Sequence, residues 1–265
     1  MSDQYQGTIK KLQSQLNDEV HYSLPMDSTL VELNPLINKK VKFTFLGDIH
    51  CIKCNQKIKK TFAQGYCFPC FRDAPETSEC ILRPELCRAH EGESRDMEWS
   101  NKHCLTNQHV YMSFTGNLKI GVTRSTQIPT RWIDQGAIKA IILCTTPNRY
   151  LAGLIEVHLK QFYSDRTHWI KMLSGKFEEP DFEQCYLEAK KYLNDGFSKY
   201  VTENKWVDIN YPIQSIPNKI KSFSFDKESS YEDILVGIKG QYLLFKNNRV
   251  INIRKHTGYS LKIQY

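Results

Sequence analysis

Two cysteine pairs constrain this chain more than any other feature. The run "CIKCNQKIKKTFAQGYCFPC" sets Cys51 and Cys54 two residues apart, leaves twelve residues, and repeats the spacing at Cys67 and Cys70. Each pair sits on one tight turn, and two such turns bring four thiolates to the corners of a tetrahedron about 2.3 Å from a zinc ion. Gly65 stands where the chain must turn before the second pair. A segment built this way folds with its metal and needs little core of its own. Cys80, Cys87, His90, His103, Cys104 and His109 form a looser second set. Cys87-x2-His90 has the same spacing, and Cys80 and Cys104 would complete a three-cysteine, one-histidine site, with His103 competing for the nitrogen position. Both sites are expected to be closed by four protein ligands, so about two structural zinc ions are predicted. Cys144 and Cys185, in a strand pattern and a helix pattern, read as core thiols.

The chain has nine cysteines, and its start, "MSDQYQGTIKK", lacks the apolar core of a signal peptide. Metal ligation is therefore expected over disulfides, and a cytoplasmic location with it. No apolar run reaches the roughly eighteen residues of a membrane span, so no membrane partner is expected.

The pattern along the chain predicts an α+β protein. Residues 28–50 read as strands, and residues 51–104 as loops and short hairpins pinned by metal. "HVYMSFTGNLKIGVTR", residues 109–124, alternates apolar residues on either side of a Thr115-Gly116-Asn117 turn and predicts a hairpin. "IPTRWIDQG" predicts a short helix with Pro129 in its first turn and Gly136 as its stop. "AIKAIILCTT" predicts a buried strand. Beyond it, Leu151, Leu154, Ile155, His158, Leu159 and Phe162 fall on one helical stripe. Another helix is expected over residues 183–195, and strands return from about residue 204, with a hairpin at "KNNR". The β segments at the two ends echo each other, which suggests that they close into one barrel-like module.

Charge is uneven. The formal net charge is +7, and residues 110–176 hold nine Lys or Arg against three Asp or Glu. A basic segment of this kind is the footprint of an anionic partner, and nucleic acid, DNA or RNA, is the commonest.

The order hairpin, short helix, strand, helix carries Tyr111 in "VYM", "KIG" at 119–121, Arg131 in "TRW" and Glu156 in "GLIEVHL". This arrangement resembles the GIY-YIG nuclease superfamily, in its phage-type branch where the second tripeptide reads KIG. The longer run "KIGVTR…IPTRWIDQGA…RYLAGLIEVHLK…DRTHWIKML", with "GYCFPCF" and "RPELC" upstream, resembles a bacterial family of unknown function. The nuclease resemblance, which covers about 109–170, implies a small mixed or antiparallel sheet flanked by helices; the zinc-ribbon-like segment and terminal β segments expected beside it come from the cysteine spacing and strand pattern. The chain departs from the motif: the first tripeptide reads "HVY", the second tyrosine is absent, and His168 stands where an asparagine is usual.

The pattern along the chain, with the resemblance over about 109–170, gives the domain plan: an N-terminal β segment (1–50), a zinc-binding segment (51–105), a GIY-YIG-like domain (106–178), a helical connector (179–203) and a C-terminal β module (204–265). The resemblance also implies catalytic roles for Tyr111, Lys119, Arg131 and Glu156. Phosphodiester hydrolysis needs a base for water, a cation at the phosphate and stabilisation of the developing charge. Tyr111 and Lys119 can share one exposed face of the hairpin, where the lysine would lower the phenol's pKa and make Tyr111 a base. Arg131 would hold a phosphate by a bidentate fork. Glu156 would place magnesium or manganese. Arg124, Arg149 and His168 are expected to bind nucleic acid. Plainer roles remain open: Tyr111 as a strand residue, Glu156 in an exposed pair with Lys160, Arg131 steadying Asp134. The leading expectation is a metal-dependent nucleic-acid hydrolase stabilised by zinc. The alternatives are a non-catalytic DNA- or RNA-binding protein with a degenerate nuclease fold and a zinc-dependent interaction scaffold. Oligomeric state is not legible in the sequence.

Overall fold

The computed structural model describes residues 3–193, 196–216 and 218–265, and the chain divides into two compact units. One joins residues 1–72 to 210–265, and the other runs from Asp73 to Ile209. The divide therefore falls inside the cysteine-rich segment 51–105. The first two cysteine pairs share a unit with both termini, and the second cysteine set belongs to the central unit. Among the described residues the architecture is α+β, with three sheets and short helices. Among the described residues no helix is long and apolar enough to cross a membrane.

In the terminal unit the two ends pair directly. Gln4–Thr8 lies antiparallel to Tyr259–Gln264, which pairs in turn with the long strand Lys40–His50. Lys40–His50 then pairs with Ser230–Lys239, and the "KNNR" hairpin follows as Tyr242–Phe245 and Arg249–Asn252. The eight-stranded sheet follows an open path among the described residues rather than a closed barrel. It presents the first cysteine pair at the end of its longest strand.

The central unit holds a four-stranded antiparallel sheet in the order Val207–Asp208, Lys139–Thr146, Gln108–Phe114, Leu118–Arg124. The hairpin turns at Gly116, whose φ of +95° lies where a side chain would be strained. Alternation divides its faces. Val110, Met112 and Ile120 point into a core with Ile141, Leu143, Ala152, Ile155 and Leu159, while Tyr111, Ser113 and Lys119 point the other way. The short helix Thr130–Asp134 ends before Gly136, at φ +71°. Asn148 caps the helix Arg149–Leu159 by accepting a hydrogen bond from Leu151 N. The later helix is Phe182–Lys191, capped by Asp181; the predicted end at 194–195 lies outside the described residues.

The helix Arg149–Leu159 is rotated from the predicted stripe. Its buried residues are Ala152, Gly153, Ile155, Glu156 and Leu159. Phe162 is exposed beyond its end. Rotation follows from a second contact: the one-turn helix Pro84–Leu86 packs so closely on Gly153 that a Cβ there would overlap the Glu85 nitrogen and the Pro84 carbonyl carbon. Glu156 is thereby drawn inward, to 7% exposure.

Candidate functional site

The four sulfurs of Cys51, Cys54, Cys67 and Cys70 lie within 4.8 Å of one another. Cys54 Sγ and Cys67 Sγ are 3.8 Å apart, close to the edge of about 3.8 Å that a tetrahedron with 2.3 Å metal–sulfur bonds would have. The donor set fits zinc. Gly65, at φ +129°, makes the turn that returns the second pair to the first. The Cys70 backbone N–H points at Cys67 Sγ. At Cys51, burial opposes ionisation, but backbone N–H groups of Cys54, Cys67 and Lys53 outweigh it and hold the thiol at about 6. Backbone donors thus favour a thiolate at Cys51, whereas the hydrogen bond to Cys67 first, and burial, push the Cys70 thiol up to about 12.

In the central unit Cys80, Cys87 and Cys104 also converge within 4.8 Å. Hydrogen bonds from the Cys80 and Cys87 thiols hold Cys104 down to about 2, with Arg149 adding to the effect. His90 does not join this cluster. Its ring stacks on Tyr150 with centroids 4.4 Å apart, where the packing of two flat rings holds it. The competing candidates are engaged elsewhere too: His103 stacks on Trp99 at 4.1 Å and bonds the Trp99 carbonyl, while His109 bonds Thr145 and Ser125. Both cysteine clusters can bind zinc, the second through three thiolates. Cys144 is fully buried in the core, its thiol pushed up to about 12 by that burial.

Tyr111, Lys119, Arg131 and Glu156, from four separate elements, line one cavity of about 130 Å³. Gln135, Gly121, Lys160 and Asp165 line it as well. The face carrying Tyr111 and Lys119 is buried rather than exposed: Tyr111 is 0% and Lys119 6% accessible. Gly121 stands directly across from Tyr111 and gives the phenol its room; a Cβ there would lie 2.6 Å from Tyr111 Oη. Gln135 Nε2 donates to Tyr111 Oη at 2.9 Å.

Electrostatics reverse the expected roles of two groups. Burial raises the Tyr111 phenol above its ordinary value, with Arg131 and Gln135 pulling it back in part. Lys119 is not the group acting on the phenol. Burial first, and then the charge of Arg131, push Lys119 itself down to about 8, against a partial recovery from Asp165 and Glu156. Burial also raises the Glu156 carboxyl, countered by Lys160. Lys160 Nζ lies 3.4 Å from both Glu156 Oε2 and Asp165 Oδ2, so the Glu–Lys pair forms, with its carboxylate buried instead of exposed.

Arg124 and Arg149 line a neighbouring cavity of about 330 Å³, and Arg131 lines both. His168 lines neither. It is exposed and caps the helix Trp169–Ser174, its Nδ1 accepting from Lys171 N at 3.3 Å.

Gln135 and Asp165 escape a reading of the motif because their roles depend on which side chains meet across the cavity, whereas Lys160 is legible from its spacing four residues after Glu156. The one available signal is the "WIDQG" run, which sets Gln135 just before a left-handed glycine and so on a helix end near Arg131.

The family model described as "Protein of unknown function (DUF2797)" matches residues 38–261, a span that contains both cysteine clusters and both cavities. The chain belongs to this family. No curated protein and no solved structure matches it.

Proposed function

We propose that the protein is a GIY-YIG-like phosphodiester hydrolase acting on nucleic acid, its two units stabilised by structural zinc. One observation carries the reading: Tyr111, Lys119, Arg131 and Glu156, the residues matching the nuclease motif, line a single cavity. Lys119, held at about 8, is the cavity group able to take a proton from water near neutral pH. Tyr111 Oη accepts from Gln135, which leaves its own O–H to donate to a non-bridging phosphate oxygen. Arg131 neutralises the phosphate by a bidentate fork. Glu156 Oε2 is buried and faces Lys160 Nζ at 3.4 Å, and with that ammonium displaced its carboxylate would fit a magnesium ion that keeps most of its waters. When bound, that ion supplies positive charge at the scissile phosphate.

The assay is incubation of single-stranded, duplex and branched DNA and RNA with wild type, Glu156→Gln, Tyr111→Phe and Lys119→Met, with magnesium, manganese or chelator. Each substitution is expected to cut the rate by on the order of a hundredfold. Equal activity in Glu156→Gln would sink the mechanism, and chelator-insensitive cleavage would remove the cation from it.

A second reading, a binder without turnover, draws on a different observation. Lys160 places an ammonium between Glu156 and Asp165, the position a catalytic cation would need, and the Tyr111 phenol is held protonated. Cleavage of none of these substrates by wild type, with binding retained, would select it.

A further inference from the structure

Arg124, Arg131 and Arg149 converge on the larger cavity with Gln127, Trp99 and His103, and Glu76 is the acidic residue on its wall. The three guanidinium groups come from the end of a hairpin strand, a short helix and the first turn of the helix Arg149–Leu159. None of the three forms an ion pair among the described residues. Arg124 Nε and Arg149 Nε are buried and lack hydrogen-bond partners among the described residues. Burial first, and then the charge of Arg149, lower the Arg124 pKa, and the Cys104 thiolate beside the arginines offsets only part of that cost. An anion removes that penalty and satisfies the idle donors, and guanidinium forks match a phosphate. Trp99 and His103, stacked with centroids 4.1 Å apart and planes within 6°, add a rigid aromatic wall to the same cavity. Phosphate donors beside an aromatic wall are the two halves of nucleotide recognition, and stacking of this kind accepts any base. The volume, about 330 Å³, falls at the small end of ligand pockets. A base paired and stacked inside a duplex has no free face to lay against that wall.

We propose that the Arg124–Arg131–Arg149 cavity is a subsite for one unpaired nucleotide, its phosphate on the arginines and its base against Trp99 and His103. The nucleotide is free or belongs to a single strand. The subsite deepens the hydrolase reading, because Arg131 is shared with the cavity of Tyr111 and Glu156 and would sit between adjoining phosphates of one strand. It does not depend on turnover.

The test is direct binding to the full-length, zinc-loaded chain by fluorescence anisotropy and calorimetry, in chelator-free buffer without magnesium. The probes are a labelled single-stranded 12-mer, the same sequence as a blunt duplex, a mononucleoside monophosphate and inorganic phosphate. The single strand is expected to bind at least about tenfold more tightly than the duplex. Arg124→Gln and Trp99→Leu should each weaken the single strand by about tenfold or more, with Trp99→Leu leaving phosphate binding unchanged. Arg149 also donates to the His103 carbonyl, so Arg124→Gln, checked for an unaltered melting temperature, is the primary variant. A mononucleotide that binds as tightly as the strand assigns the site to free nucleotides. Equal affinity for duplex and single strand, or unchanged single-strand affinity in folded Arg124→Gln, overturns the proposal. Glu156→Gln separates the two ideas. The subsite requires single-strand binding to persist in that variant, equal to wild type or tighter because a negative charge facing the strand has gone, whereas loss of cleavage there speaks only to the hydrolase reading.

Discussion

At the scale of single residues, Lys119 and Gly121 carry the sharpest consequences. The Lys119 ammonium is pushed from 10.5 down to about 8 by burial, so the folded chain binds its proton less tightly than the unfolded chain does. The sign follows from linkage. Its penalty on stability is complete below about pH 8 and fades as pH rises towards 10.5, amounting to about 3 kcal/mol in all. Lys119→Met is expected to raise the melting temperature at pH 7. It should also flatten the gain in stability between pH 8 and 10 relative to wild type; a parallel pH profile would show that the lysine titrates normally. If Lys119 is the proton acceptor in hydrolysis, the rate rises through about pH 8 and then levels. Gly121 needs no unusual backbone angle. Its constraint is the 2.6 Å separation an added Cβ would have from Tyr111 Oη. Gly121→Ala should cost about 1–3 kcal/mol in thermal or denaturant unfolding and should displace the phenol. A fully stable Gly121→Ala would mean that the Tyr111 ring has room to move.

At the scale of elements, the short metal-organised segments matter most. Pro84–Leu86 leads directly to Cys87, and its close packing on Gly153 ties the second cysteine cluster to the helix that carries Glu156. Gly153→Ala forces backbone against backbone, which no side-chain rotation relieves, so a loss of several kcal/mol is expected, about 2–5. The same substitution should lower zinc content by promoting loss of the second ion. Elemental analysis of the wild type should find about two zinc ions per chain. Cys67→Ser and Cys104→Ser should each lose about one, in different units, because an incomplete thiolate set holds metal poorly. His90→Ala should keep both ions, since its ring is stacked on Tyr150 away from the three sulfurs. Loss of an ion in that variant would show that the imidazole turns to become the fourth ligand.

At the scale of the whole molecule, charge and division into units set the behaviour. Residues 110–176 carry nine basic and three acidic side chains, and they lie entirely in the central unit. Binding of single-stranded nucleic acid should weaken steeply with salt. If Arg124, Arg131 and Arg149 each meet a phosphate, the slope of log K against log salt should be about −2. A salt-independent affinity would place the partner in another chemical class.

The features legible in the sequence are those whose cause is local. Cys-x2-Cys spacing puts two sulfurs on one turn whatever the rest of the chain does, and the first metal cluster follows from it. Period-two alternation and a turn glycine specify the hairpin Gln108–Phe114 with Leu118–Arg124. Tertiary structure decided what depends on distant partners. The Pro84–Leu86 turn against Gly153 rotates the helix and buries Glu156, which its own neighbours in sequence would leave at the edge of the stripe. Tyr150 takes the His90 ring, and burial makes Lys119, not Tyr111, the group that titrates near neutral pH. Arg124, Arg131 and Arg149 become one site only because three elements end at the same cavity. Spacing along a chain determines which groups share a turn or a face. Burial and charge, which set their chemistry, belong to whatever packs against that face.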